Sequence, residues 1–375
     1  MKAALYLHVP FCRQKCPYCD FYSIAVRPEE EVYLRAVLKE AELWRSVLAE
    51  DLCLVTFYAG GGTPSLLSPS FYEKLFEGLG RIFDFRPEEL TLEANPEGLN
   101  RERLKGYRRA GFNRLSLGIQ SLSEKGLRAL GRRHTLREAL QALSEARESG
   151  FENLSVDLIF GWPGETPEDL QRELEGILRM SPEHISYYEL TPEEGTPLFE
   201  DLRAGRLRLP GEETLVNMYL ALHEGLSGAG YRHYEISNYA RPGYACRHNL
   251  FYWKALPYLG LGPGAASLME LKRYRNPPDL TLYYRLLSEG RLPAVPEENL
   301  SREEAFREAV VLGLRLLEGV SARELYRRFG LDLFRIFPRE IDELLKAGLV
   351  TREGDRLRLT LKGLLLSNQV KLYFL

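Results

Sequence analysis

The stretch YLHVPFCRQKCPYCDF, residues 6–21, runs from a short apolar segment directly into a loop with three cysteines. Cys12, Cys16 and Cys19 have the spacing C-x3-C-x2-C, which allows three thiols to face one metal centre. A [4Fe–4S] cluster on three thiolates leaves one iron without a protein ligand, and a cofactor or substrate can bind there. The alternative is a structural zinc with His8 or a remote group as fourth ligand, but closed zinc sites usually have paired C-x2-C arms. The spacing therefore predicts a cluster on these cysteines.

Apolar, β-rich runs alternate with longer amphipathic stretches from the start of the chain to about residue 190. This alternation is typical of repeated βα units around a parallel sheet. The predicted strands cover residues 3–9, 54–59, 90–94, 114–118, 154–160 and 184–190, and the main predicted helices cover 29–48, 69–82, 136–149 and 166–180. Six units are fewer than the eight of a closed TIM barrel. The sequence thus predicts an α/β fold built on an open (β/α)6 partial TIM barrel.

The chain changes character twice after this predicted barrel, which we assign to residues 1–200. Residues 201–295 are richer in Gly, Pro and Tyr, and we expect a barrel extension that ends in a linker at 293–296. Residues 296–375 predict three helices and a hairpin around the turn Glu353-Gly354-Asp355. This pattern indicates a small C-terminal winged-helix-like α+β domain.

Glycines and polar residues fall at or near the carboxyl ends of the predicted strands. Residues 60–62 are three consecutive glycines, which remove every side chain between the backbone and a ligand above the barrel. The next four strands carry, in order, Glu93, Gln120, Asp157 and Glu189. A single acid in an apolar strand is usually a satisfied structural group, but βα barrels build their active sites at this end. The pattern predicts a binding site for a ligand with ammonium and hydroxyl groups.

Composition narrows the class of protein. Fifty basic and 53 acidic residues give a net charge of −3, without the positive excess of a general nucleic-acid binder. No apolar run approaches the roughly 20 residues of a membrane-spanning helix. Five cysteines, three of them crowded into one loop and with no export signal before them, favour metal binding in a reducing compartment over disulfides. We therefore expect a cytoplasmic protein with no membrane span and no nucleic-acid partner.

The cysteine spacing, together with the segment GGTP at 61–64, resembles the radical SAM superfamily. The resemblance implies that the open iron binds S-adenosylmethionine (SAM) and that the cluster can cleave it to a 5′-deoxyadenosyl radical. Three further segments, EANP at 93–96, GIQS at 118–121 and LGR at 130–132, are similar to one branch of this superfamily, the branch around oxygen-independent coproporphyrinogen III dehydrogenase. That likeness implies SAM contacts at Tyr6, Tyr18, Gly61, Gly62, Thr63, Glu93, Gln120, Arg132 and Asp157.

Phe21 departs from the dehydrogenase pattern, in which a further cysteine stands two residues after the third. This departure, and the short segment before Tyr6, resemble the HemW heme chaperones. The segment HNLFYW at 248–253 is similar to the HNxxYW signature of that family. The resemblance implies bound heme with His248 as candidate axial ligand, since a neutral imidazole can ligate heme iron. It also implies heme-accepting partners such as membrane respiratory enzymes, besides an electron donor to the cluster.

Three functional hypotheses follow from these patterns. The first is a heme chaperone that binds heme and a SAM-ligated cluster and transfers heme to acceptor proteins. The alternative is an oxygen-independent coproporphyrinogen III dehydrogenase, which Phe21 opposes. The third is nucleic-acid binding through the basic residues of the tail, but these alternate with Glu and Asp as on an ordinary solvated face.

Overall fold

Six parallel strands form the centre of the molecule, whose computed structural model describes residues 1–375. Covering on both faces buries most of their residues, as is usual in parallel sheets. The strands lie side by side in chain order, and each neighbouring pair is parallel. They are β1 (Lys2–Val9), β2 (Cys53–Gly61), β3 (Asp84–Ala94), β4 (Arg114–Gln120), β5 (Asn153–Phe160) and β6 (His184–Glu189). The predicted open (β/α)6 partial barrel is confirmed.

Amphipathic helices connect these strands and cover the outside of the sheet. Local start signals define several of them: Thr135 and Thr166 each accept a hydrogen bond from the backbone three residues on, within a capping box. A single core of 51 buried apolar residues lies between helices and sheet. The helices are α1 (Glu30–Val47), α2 (Pro69–Ile82), α3 (Arg101–Ala110), α4 (Glu124–Ala129), α5 (Leu136–Glu148) and α6 (Pro167–Met180), and a 3-10 turn covers Pro64–Leu66.

The residues expected to extend the barrel lengthen the same sheet at both edges. Next to β6 lie β8 (Asn238–Ala240) and β7 (Arg232–Glu235), while β9 (Tyr258–Leu261) pairs in parallel with β1. Beyond β9 the sheet continues through β10 (Ala266–Met269), β11 (Lys272–Arg275) and β12 (Val295–Asn299). The helices of this part are α7 (Pro197–Arg203), α8 (Glu212–Gly228), α9 (Arg247–Trp253) and α10 (Leu280–Ser288). The segment predicted as a linker at 293–296 instead enters β12, because its backbone pairs with β11.

A small α+β unit with its own core of 18 buried residues ends the chain, as predicted. Its three-stranded sheet has the order β13 (Val320–Ser321), β15 (Arg356–Leu359) and β14 (Val350–Glu353). Gly354 closes the predicted hairpin with a φ of 60°. The helices are α11 (Arg302–Gly313), α12 (Ala322–Phe329), α13 (Leu333–Ile336), α14 (Pro338–Lys346), α15 (Leu361–Leu365) and α16 (Ser367–Lys371). Helices α11, α12 and α14 correspond to the three predicted helices, whereas α13, α15 and α16 have no counterpart among the predictions.

None of the helices combines the length and the apolar character that a membrane crossing requires.

Candidate cluster and cofactor site

The three cysteines of the loop after β1 face one cavity. Hydrogen bonds close the loop at its base, because the Cys12 N–H donates to the Ile24 carbonyl (2.9 Å) and the Ile24 N–H donates to the Pro10 carbonyl (2.7 Å). A tight turn follows in which the Cys19 N–H donates to the Cys16 carbonyl at 3.1 Å. All three thiols are free and partly exposed, and they line a cavity of about 510 Å³.

The cavity runs from the cysteine loop along the inside of the barrel, past residues of strands β2 to β6. Eight of the nine residues implied as SAM contacts line it: Tyr18, Gly61, Gly62, Thr63, Glu93, Gln120, Arg132 and Asp157. Tyr6 does not line it, and its hydroxyl lies 3.1 Å from Nδ1 of His8. The strand-end residues that the sequence placed on separate elements therefore meet around one space.

The glycine run at the end of β2 leaves space that the side chain of any other residue would fill. A Cβ on Gly62 would lie 2.7 Å from the Phe11 carbonyl oxygen and 3.0 Å from the Cys12 sulfur. Gly61 has a φ of +106°, a conformation in which a side chain is strained. The backbone can therefore approach the cysteine loop and a ligand closely only because both positions lack a Cβ.

A chain of hydrogen bonds connects two of the three cysteine sulfurs. The Thr63 hydroxyl donates to Cys12 Sγ at 3.6 Å, and the Asn95 amide donates to the Thr63 oxygen at 3.1 Å. Arg132 donates to Asn95 Oδ1 at 2.6 Å and to Cys16 Sγ at 3.3 Å. Asn95 was not among the predicted site residues. Alternation along a strand signals it, because it lies two positions after Glu93 and so points to the same face.

Two carboxyl groups in the cavity wall have raised pKa values. Glu93 accepts hydrogen bonds from the Tyr58 hydroxyl (2.7 Å) and the Gly61 N–H (3.2 Å), while burial raises its pKa to about 7. Asp157 accepts from the Ser116 hydroxyl at 2.9 Å, and burial likewise raises its pKa. In its ionised form each carboxyl can accept hydrogen bonds from the hydroxyl or ammonium groups of a ligand.

Arg114 is a second residue that the sequence analysis missed. It begins β4, is only 2% exposed and lines the cavity at the end away from the cysteines. Its Nε and one Nη have no hydrogen-bond partner. The alternation of Arg114, Ser116, Gly118 and Gln120 on one face of β4 signals its position.

His248, the candidate heme ligand, lies outside the cavity and is fully buried. Its Nδ1 is 3.0 Å from the Thr56 hydroxyl and its Nε2 is 2.9 Å from the Tyr252 hydroxyl, so both ring nitrogens have partners. Burial lowers its pKa to about 3, so the ring is neutral. Ligation of heme iron by His248 stays a prediction, and it requires that the imidazole exchange one of these partners for iron.

Helix α9, which carries His248, closes the end of the barrel opposite the cysteines. The carboxylate of Glu89, on β3, accepts from the backbone N–H groups of Arg247 (3.0 Å) and His248 (2.9 Å) at the start of the helix. The next residue, Asn249, lines the cavity. Trp253 ends the helix with its ring under the guanidinium of Arg315, at 4.2 Å. The HNxxYW segment thus contributes to the cavity through its Asn and not through its His.

No three His, Cys, Asp or Glu side chains lie close enough together to hold a single metal ion. Three thiols spread around a loop, with a glycine-lined cavity beside them, fit a polynuclear cluster and a ligand bound next to it. Fold and site together define a partial barrel of the radical SAM class.

Comparisons with known proteins agree with this class. The family model described as the radical SAM superfamily matches residues 6–176, and that of the HemN C-terminal domain matches residues 300–366. The heme chaperone HemW of Bacillus subtilis is 36% identical over 99% of this chain and 98% of its own length. HemW of Escherichia coli is 34% identical with the same coverage of both chains. The solved structure of coproporphyrinogen III oxidase (HemN) from Escherichia coli, a radical SAM enzyme, covers 100% of this chain and 90% of its own with a TM-score of 0.84 at 24% identity, which supports the fold.

The chain therefore belongs to the radical SAM superfamily and, within it, to the family of HemW heme chaperones.

Proposed function

We propose that the chain is a heme chaperone that holds a [4Fe–4S] cluster on Cys12, Cys16 and Cys19, binds SAM in the adjoining cavity and passes heme to acceptor proteins. The observation that carries the proposal is the similarity, over nearly the whole chain, to relatives named heme chaperones. The cysteine-lined cavity supports the cluster and SAM, since its three thiols and its acceptor groups suit these two cofactors.

The residues of the cavity have separate tasks in this proposal. The three cysteines bind iron as thiolates; burial raises the pKa values of the Cys12 and Cys19 thiols, so their deprotonation depends on the metal. The backbone at 61–63 and the carboxylate of Glu93 hold the amino acid end of SAM, while Asp157 accepts from its hydroxyl groups. A cluster with one open iron supplies a binding position for SAM and an electron when both are present.

Phe21 supports a chaperone over the dehydrogenase. Its ring is 65% exposed and lies at the cavity, two residues after Cys19. A phenyl ring supplies neither a thiol nor a proton donor at the place where the dehydrogenase pattern has a cysteine. It offers instead an apolar surface, which suits the face of a porphyrin.

Heme binding through His248 requires a local opening of helix α9. We propose that His248 exchanges Tyr252 for heme iron, because the Nε2 contact to Tyr252 lies within one helix and its loss leaves the Thr56 contact intact. The acceptors that we propose are membrane respiratory enzymes, and an electron donor reduces the cluster. We place these events in the cytoplasm.

Heme titration of the reconstituted protein under reducing conditions tests the proposal. We expect saturable heme binding by the wild type, weaker binding by His248→Ala, and binding at least as tight by Tyr252→Phe, which frees Nε2. Transfer is measured as heme gained by an apo-acceptor from the loaded chaperone. Absence of heme binding by the wild type would refute the chaperone, whereas unchanged binding and delivery by His248→Ala would refute only the assigned ligand.

The alternative is oxidative decarboxylation of coproporphyrinogen III, and it is favoured by a cavity that eight of the nine implied SAM contacts line. An anaerobic assay with reductant, SAM and coproporphyrinogen III separates the two functions. We expect no vinyl product from the wild type. Product formation at the rate of a dehydrogenase run in parallel would make the chain an enzyme of that class.

A further inference from the structure

Arg114 is a buried cation without a direct ionic partner. It begins β4, lines the cavity and is 2% exposed. Two of its three nitrogens, Nε and Nη1, are buried without a hydrogen-bond partner, and no carboxylate oxygen lies within 4.0 Å of the guanidinium. Burial of a charge without a direct partner is costly, so this cation requires compensation from charges that lie further away.

Acidic side chains surround this cation at a longer range. The β3 residue that pairs with Arg114 lies midway between Glu89 and Glu93, which share its face of the strand. Steps of about 6.6 Å along a strand and about 4.8 Å across to its neighbour give Cα separations of about 8 Å. On β4 itself, Ser116 follows on the same face as Arg114, and its hydroxyl donates to Asp157 at 2.9 Å. The guanidinium therefore lies among three carboxyl groups, none of them in direct contact with it.

The other titratable groups that face Arg114 are uncharged at neutral pH. They come from β2, β6, β7 and α9 and are Tyr58, His184, Tyr234, Cys246 and His248. Burial raises the pKa values of the two phenols and of the thiol, and it lowers the pKa values of the two imidazoles. Among the groups around this position, charge is therefore carried by Arg114 and by the three carboxyl groups.

The charge of Arg114 acts on the two acids that line the SAM cavity. Burial raises the pKa values of Glu93 and Asp157, and the charge of Asp157 adds to the rise at Glu93. The Arg114 cation opposes this rise at both carboxyl groups. Charges about 8 Å apart still interact in the interior of a protein, because water and salt screen them little there. Ionisation of the cavity wall thus depends on a residue that forms no bond with either acid.

We infer that Arg114 is a positioning residue for SAM, whose unpaired cation favours the ionised forms of Glu93 and Asp157 and so sets the pH range in which the cavity holds the cationic cofactor. The inference rests on the proposed function, because it needs SAM in the cavity. Arg114 acts through the two carboxylates, since a guanidinium and a cationic ligand repel each other. Loss of its charge therefore weakens SAM binding where the acids become protonated, but not at a pH high enough to ionise them without Arg114.

Calorimetric titrations of the reconstituted protein with SAM, at a series of pH values through the neutral range, test the inference. Arg114→Met and Arg114→Gln both remove the charge, so the test does not depend on the folding of one variant. We expect the midpoint of the affinity profile to lie about one pH unit above that of the wild type. Affinity should be about threefold lower at about pH 7, whereas at about pH 9 it should equal or exceed that of the wild type.

The matched control is Arg114→Lys, which keeps a positive charge at the same position and should have a profile close to that of the wild type. An unchanged profile in the neutral variants would overturn the inference. So would binding that is weakened equally at every pH, because that result indicates a merely structural role, or a shifted midpoint in Arg114→Lys as well. A wild type that binds no SAM at any pH would instead overturn the proposed cofactor, so the two failures are distinguishable.

Discussion

The cysteine loop and helix α9 lie at opposite ends of the barrel and use their polar atoms in opposite ways. The loop leaves three thiols partly exposed on a cavity, with donors from Thr63 and Arg132 directed at two of them. Helix α9 buries His248 and gives both ring nitrogens a partner. Groups left free at a cavity are ready to bind, whereas groups that satisfy one another stabilise the fold. The difference separates polar groups that are free to bind a ligand from polar groups that hold the fold together.

The largest effect that we expect comes from a change in the cysteine loop. Cys16→Ala removes one of three thiolates, and a cluster with only two protein ligands should not survive purification. Iron and sulfide analysis, with the visible absorbance of the protein, should fall to background. Cys53→Ala is the control, because Cys53 begins β2 and does not line the cavity. An intact cluster in Cys16→Ala would mean that other groups supply the ligand.

In helix α9, His248→Ala should destabilise the fold. The change leaves the buried hydroxyls of Thr56 and Tyr252 without a partner and creates a small cavity. We expect a loss of about 3 kcal/mol in the free energy of unfolding in urea. Tyr252→Phe removes only one hydrogen bond and should cost about 1 kcal/mol. Equal stability of His248→Ala and wild type would show that α9 does not depend on this network.

The pH dependence of SAM binding should report on Glu93, whose pKa burial raises to about 7. The ionised carboxylate attracts the cationic cofactor, so affinity should rise as the pH increases through 7, by about tenfold. Folding has the opposite sign: the stability contributed by the protonated carboxyl is present below its unfolded pKa and is lost as the pH rises through 7. Glu93→Gln should flatten both profiles. Calorimetric titrations with SAM and urea unfolding, each from pH 5.5 to 8.5, measure them.

The smallest effect concerns the hydrogen-bond chain between the cysteines. Asn95→Leu breaks the connection between Thr63 and Arg132. It therefore weakens the two hydrogen bonds to the sulfurs of Cys12 and Cys16. Fewer donors to the sulfurs stabilise the oxidised form, so the reduction potential should fall, by an amount on the order of tens of millivolts. Asn95→Asp keeps the acceptor for Arg132, so its reduction potential should fall by less. The reduction potential is measured by a potentiometric titration followed by electron paramagnetic resonance. An unchanged or higher potential in Asn95→Leu would contradict this account.

The cysteine loop and its cavity were predictable from the sequence because their signals are local. To recognise three cysteines within eight positions and polar residues at strand ends, one needs only the period of a strand and the chain order of a βα barrel. The same alternation would have revealed Asn95 and Arg114, had it been followed along β3 and β4. The hydrogen bonds of His248 in helix α9 were not predictable, since its partner Thr56 lies 192 residues away in the sequence. Likewise, no local pattern announces that β9 would pair with β1 and continue the sheet.

Helix α9 also connects the barrel with the C-terminal unit of the chain. Its Asn249 lines the cavity, while Trp253, at its other end, lies under Arg315, which also contacts the buried Glu235 at 3.1 Å. Seven residues therefore join the wall of the cofactor cavity to the last unit of the chain. Exchange of the C-terminal unit with that of a relative would alter the support of this helix. The two parts are therefore coupled mechanically through this helix, although each has a core of its own.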